Sequence, residues 1–199
     1  PHMLELTAMK EYTFRQEPKL LVLHNTNKLL WWFEGTKGLK TGTTEKAKRN
    51  LTAVVERDGL MLISVVMGAE NARGHFTQSM SLQQYGFARY GYKQFYGKGH
   101  QVGEVRIAKG LKEKVKVVSK ERIGTIIPKG EDQGMEVKID LPEYIQAPVK
   151  KGQEVGNALI LKDGKEIGSI PLVVTEDISR GSLLGMLRKV VFLVISVNQ

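Results

Sequence analysis

Cysteine is absent from the 199 residues. A disulfide scaffold, a Cys-ligated zinc and a thiol nucleophile are excluded together, while the compartment stays open. No segment reaches the roughly 20 apolar residues needed to span a bilayer. Leu4 to Lys19 contains no long apolar run, so no signal peptide is read there. The opening Pro1-His2-Met3 looks like a cloning scar and is set outside the fold. Histidine is scarce: His2, His24, His75 and His100 show no ligand spacing, so neither a metal nor another cofactor is expected. Acidic residues fall short of basic ones, giving a net charge of +9. Residues 1–92 carry +4, residues 93–177 carry +2, and residues 178–199 carry +3 with no acid at all. Mixed charge over most of the chain argues against a nucleic-acid face, and the purely basic tail points to an anionic surface. The 41% hydrophobic content is ordinary for a globular protein and sufficient for a core.

Turn and period signals divide the chain into three parts. Residues 1–92 hold the apolar run LLVLHN (20–25), read as a strand, and two β-branched runs flanking Asp58-Gly59, a favoured hairpin turn. Residues 74–91 place Phe76, Met80, Leu82 or Gln83, Tyr85 and Phe87 near helical spacing, with Gly91 as the stop. Residues 93–177 read as a small all-β domain of short strands, with a second hairpin at Asp163-Gly164 and a tight turn in Lys150 to Gly156. Residues 178–199 put Leu183, Leu184, Leu187, Val190, Val191, Val194 and Ile195 at helical spacing beside Arg188 and Lys189. That fits an amphipathic helix lying on a membrane; a terminal strand or helix packed on the domain fits equally well.

The stretch WWFEGTKGLKTGTTEKAKRN, Trp31 to Asn50, concentrates glycines and cations. It is not a phosphate loop, because Lys40 precedes its glycine and hairpin strands follow. Tryptophans beside lysines can stack on bases, but Trp31 and Trp32 adjoin Leu29, Leu30 and Phe33, so burial of at least one is expected. Lys40-Thr41-Gly42 spells KTG, one of three short motifs of penicillin-binding proteins and serine β-lactamases. On an edge strand the lysine lines a cleft with positive charge, the threonine hydroxyl helps to hold a carboxylate, and the glycine lets an extended substrate approach.

The surroundings carry the motif further. Asn27 with Leu29-Leu30, then Gly38-Leu39-Lys40-Thr41-Gly42-x-Thr44, a hairpin ending in VVMG, Arg73 and QYGF (84–87) resemble the low-molecular-mass penicillin-binding proteins. These are serine D-alanyl-D-alanine carboxypeptidases. EVGNALILKDGKEIGSIPLVV is similar to that family's C-terminal β domain, and SRGSLLGMLRKV to its membrane-anchoring helix. The resemblance implies an α+β fold: the closing part of a β-lactamase-like catalytic domain over 1–92, a β-rich domain over 93–177, and an amphipathic membrane segment over 178–199.

It also implies a chemistry. A serine attacks the D-Ala-D-Ala bond of a peptidoglycan stem peptide, D-alanine leaves, and water hydrolyses the acyl-enzyme. The lysine of an S-x-x-K motif would be the base, and β-lactams would acylate the same serine. Lys40 would support the cleft electrostatically and orient substrate, Thr41 and Arg73 would bind the terminal carboxylate, and Gly42 would leave room for it. The backbone of Thr43 would lie beside the substrate and donate to the oxyanion. Thr26 stands where some members carry arginine, and Lys48 where glycine is common.

No serine of the chain has lysine three residues later, and Ser196-Val197-Asn198 spells S-x-N only by chance, in the tail. In the family S-x-x-K and S-x-N precede KTG, yet 39 residues precede Lys40 here. The chain is therefore expected to be the C-terminal portion of such an enzyme, inactive alone. The parent would be exported to the outer face of the bacterial cytoplasmic membrane, with residues 180–199 on the membrane. The alternative is a non-enzymatic β-domain spacer or partner-binding module. Exposed sheet edges also allow self-association.

Overall fold

The computed structural model describes residues 2–181, which fall into two units. Unit 1 runs to Tyr92 and takes back Ile126–Glu131; unit 2 holds Lys93–Thr125 and the described residues from Asp132 on. The sheets are mainly antiparallel and helices are few.

Unit 1 opens with helix α1 (His2–Ala8) and the hairpin β1 (Glu11–Arg15) and β2 (Leu21–His24). One turn of helix follows, α2 (Leu29–Trp32). The central sheet is β3 (Thr36–Thr44), β4 (Lys48–Arg57) and β5 (Leu60–Ala69) in that order, with β4 in the middle. Helix α3 (Gly74–Arg89) then returns across it. Asp58 and Gly59 both take positive φ, 49° and 79°, which is the turn that joins twisted antiparallel strands.

Strand alternation gives this sheet two different faces. Leu39, Ala53 and Ser64 lie opposite one another in register, on the face that α3 covers. The core there gathers Leu29, Phe33, Leu51, Ala53, Val55 and Phe76. The next row, Lys40, Thr52 and Val65, belongs to the other face. That face is apolar and exposed along β5, at Met61, Ile63, Val65 and Met67.

The sequence placed α3 well but misjudged its inner stripe. The helix ends at Arg89 rather than Gly91, because Tyr90 already begins strand β6 (Tyr90–Tyr96). Ser79 and Gln83 are buried, whereas Leu82 and Tyr85 are exposed. The polar pair is tolerated inside because it is bonded: Ser79 Oγ lies 2.7 Å from Ser64 Oγ, and Gln83 Nε2 donates to Ser64 Oγ at 3.0 Å. The tryptophans are also corrected. Trp31 and Trp32 are 42% and 47% exposed, and Leu29 and Phe33 fill the core in their place. His2 and Met3, set aside as a scar, form part of α1.

Unit 2 is built on six strands: β7 (Gln101–Ala108), β8 (Lys114–Ser119), β10 (Met135–Asp140), β11 (Tyr144–Gln146), β12 (Glu154–Lys162) and β13 (Lys165–Val174). Their order is β10-β12-β13-β8-β7-β11, antiparallel except for β11 beside β7. Strand β9 (Ile123–Pro128) pairs with β6 in a separate ribbon. Asp163 and Gly164 repeat the positive-φ hairpin turn, at 51° and 77°. Alternate residues such as Val115, Val117, Ala158, Ile160 and Leu172 point into one cluster. Ile178 joins that cluster and its amide bonds Val149, so the sheet-bound chain continues past Asp177. The expected amphipathic segment falls mainly on residues 182–199, outside the described residues. Among those described, no helix is long and apolar enough to cross a membrane.

Candidate functional site

β3 is an edge strand of its sheet, and KTG lies in its second half. β4 holds it from the other side through the register Lys40↔Thr52, Thr41↔Leu51, Gly42↔Asn50 and Thr43↔Arg49. Alternation sends Lys40 to the face opposite α3 and Thr41 to the α3 side. Lys40 is exposed, with Nζ donating to the Thr41 carbonyl at 2.6 Å. Thr41 Oγ1 lies 2.6 Å from Thr26 Oγ1, a contact that the sequence reading did not anticipate. It ties KTG to the loop before α2. In that loop Asn27 is fully buried; its Oδ1 accepts from the Leu29 amide, while Nδ2 has no partner among the described residues.

The glycines of this stretch have different reasons. Gly38 has φ 125°, and a Cβ there would meet Thr7 Oγ1 of α1 at 2.3 Å. It is required by packing. A Cβ on Gly42 would meet nothing within 4 Å. No contact within the described protein demands glycine at position 42.

Arg73 stands apart from these residues. It precedes α3, and its guanidinium carbon lies 5.7 Å from the Trp32 ring centre. Trp32 in turn meets Phe76 edge-on at 5.5 Å. No hydrogen bond or ion pair joins Arg73 to Lys40–Thr43 among the described residues. Beside Thr43 in register stands Arg49, whose Nη1 donates to the Glu70 carbonyl at 2.7 Å. His75 is buried below it. Burial, and then the Arg49 charge, hold the imidazole below its usual 6.5. Asn50, missed in the sequence, caps the end of the strand pair: its Oδ1 accepts from Gly68 N at 3.0 Å. An asparagine at the head of an apolar strand, opposite Gly42, was the available signal.

Among the described residues no group of three His, Asp or Glu is placed to hold a metal. What the strand offers is a cation, a hydroxyl and an open glycine side by side. That set suits an extended ligand ending in a carboxylate.

Two families match the chain. The D-alanyl-D-alanine carboxypeptidase family covers residues 1–71, and the family described as Penicillin-binding protein 5, C-terminal domain, covers residues 90–180. The chain belongs to the low-molecular-mass penicillin-binding proteins. D-alanyl-D-alanine carboxypeptidase DacA of Haemophilus influenzae is 32% identical over 94% of this chain and 47% of its own length. DacF of Bacillus subtilis is 29% identical over 90% of the chain and 46% of its own. Among solved structures, penicillin binding protein 5 from Haemophilus influenzae aligns with 89% of the chain and 51% of its own, at TM-score 0.63 and 32% identity. The chain thus spans about half the length of the curated relatives it matches.

Proposed function

We propose that this chain forms the KTG wall and the β domain of a serine D-alanyl-D-alanine carboxypeptidase. The observation that carries the reading is the edge strand β3, where Lys40, Thr41 and an unobstructed Gly42 stand together. Lys40 raises the positive potential of the cleft and orients the ligand. Thr41, held by Thr26, presents its hydroxyl to the terminal carboxylate of a stem peptide, and Arg73 adds positive charge. The Thr43 backbone lies alongside and donates to the oxyanion. The nucleophilic serine and its S-x-x-K lysine come from a segment outside these 199 residues. β-Lactams react at that same serine. The parent works on the outer face of the bacterial cytoplasmic membrane, attached through residues 180–199.

The exposed apolar face of β5 supports this division of labour. Met61, Ile63, Val65 and Met67 form a surface that the serine-bearing segment would cover. Uncovered, the same edge is open to a second copy. The alternative of a non-enzymatic β-domain module draws on the closed core of unit 2, which needs nothing from unit 1 to bury its strands.

The test joins this chain to the S-x-x-K-bearing segment and measures D-alanine release from a peptide ending in D-Ala-D-Ala. The joined protein is expected to turn over. Lys40→Ala is expected to lower the rate by about a hundredfold or more, as losing one preorganised stabilising group does. Full activity in Lys40→Ala would remove β3 from the site.

A further inference from the structure

The connections at one end of the unit 2 sheet converge on the point where the described chain ends. β7 and β13 finish there and β8 and β12 start there, as their register shows. The Leu111 amide donates to Ser179 O at 3.1 Å, and the Gly181 amide donates to Lys109 O at 2.9 Å. Gly110 forms a bridge with Arg180. The β7–β8 loop is therefore bonded directly to the last described residues. It is also firmly seated: a Cβ on Gly110 would meet Ile107 Cγ2 at 2.4 Å and Ile178 Cγ2 at 3.2 Å.

This loop puts Leu111 outward at 65% exposure, the highest of any large hydrophobic residue described in unit 2. Around it the charge is predominantly basic. Lys109, Lys150, Lys151 and Arg180 are exposed, and none of them has an ion-pair partner among the described residues. Lys112 pairs with Glu176, and Asp177 accepts the Lys151 amide. Glu113 is the third acid here. Five cations thus face three acids. The 18 residues after Gly181, SLLGMLRKVVFLVISVNQ, add Arg188 and Lys189, no acid and many apolar side chains.

We propose that the Lys109–Lys112 loop, with Leu111 at its tip, is a second contact with an anionic lipid bilayer, beside the one made by the tail. This rests on the membrane reading of residues 180–199 above. An exposed leucine among largely unpaired cations suits the headgroup boundary, where the cations meet lipid phosphate. A surface reached by both loop and tail would be gripped at two neighbouring points. That would orient unit 2 on the membrane instead of leaving it on a free tether.

Because the chain has no cysteine, Leu111→Cys takes one environment-sensitive dye at one place. The full 199-residue chain so labelled is mixed with vesicles of phosphatidylglycerol and phosphatidylcholine. A blue-shifted, brighter emission is expected, with no change for dye at Ile167→Cys, near the opposite end of β13. Lys109→Glu with Arg180→Glu is expected to weaken vesicle co-sedimentation about tenfold or more. Three results would overturn the proposal. Co-sedimentation with an unshifted Leu111 dye removes the loop and leaves the tail standing. No co-sedimentation at all removes both. An equal shift with soluble polyphosphate assigns the patch to a polyanion and not to a bilayer.

Discussion

Unit 2 gathers twelve buried apolar residues into one cluster, and among its described residues only Tyr96, Leu111, Tyr144 and Ile167 expose a large apolar side chain. Unit 1 gathers six, and leaves apolar side chains exposed from Met3 through the β1–β2 hairpin, Trp31 and Trp32 to the whole outer row of β5. The two are nearly one size, so size does not explain the contrast. Coverage does. The strands of unit 2 close on each other, while the sheet of unit 1 has α3 on one face and leaves the outer row of β5 uncovered on the other. An exposed apolar row of this length is the kind of surface that a partner segment covers.

The contrast implies that the units lose their structure independently. Leu172, fully buried in unit 2, is the position of largest effect. Leu172→Ala is expected to cost about 3 kcal/mol, through lost burial and the cavity left behind. Both tryptophans belong to unit 1, so their fluorescence follows that unit alone. In urea, circular dichroism should show the destabilised transition while tryptophan fluorescence keeps its midpoint. A shift of both together would unite the units and end the comparison.

A smaller effect is expected inside unit 1. Ser79→Ala leaves the Ser64 hydroxyl with Gln83 alone and should lower the tryptophan-monitored stability by about 1 kcal/mol. An unchanged midpoint would show that the buried network is not what seats α3.

The acid response should distinguish the units too. Folded His75 resists protonation, whereas the unfolded chain takes up the proton near 6.5. Protons then bind more to the unfolded state, so unit 1 is at full stability above 6.5 and loses it as pH falls below. His75→Gln should flatten that decline in tryptophan-monitored melts. A decline that persists in the variant would place its source elsewhere.

The smallest effect on stability, and the most telling about surface, is expected at Ile63, 64% exposed on β5. Ile63→Ser should change stability by less than about 0.5 kcal/mol while reducing binding of a hydrophobic dye. A large destabilisation would mean that the outer face of β5 is already packed.

Local chemistry was legible in the sequence wherever it was decided locally. Asp58-Gly59 and Asp163-Gly164 announce their hairpins because both residues accept positive φ at little cost. KTG announces an edge strand with an open side. What escaped depends on partners distant in sequence. Ser79 looks like an outer residue, and Gln83 only an alternative to Leu82, until Ser64 is brought beneath them. The tryptophans look like core until Leu29 and Phe33 take their place. The Thr26–Thr41 bond links two loops that no periodicity connects. Residues 126–131 join unit 1, and the Pro128 and Gly130 turn signals there look no different from those of the rest of the β region.

Intact mass after incubation with benzylpenicillin tests the central claim most directly. On the proposed reading the 199-residue chain alone keeps its mass, because none of its serines has lysine three residues later. A covalent penicilloyl adduct on this chain would contradict the account, since it would place a competent nucleophile within these residues.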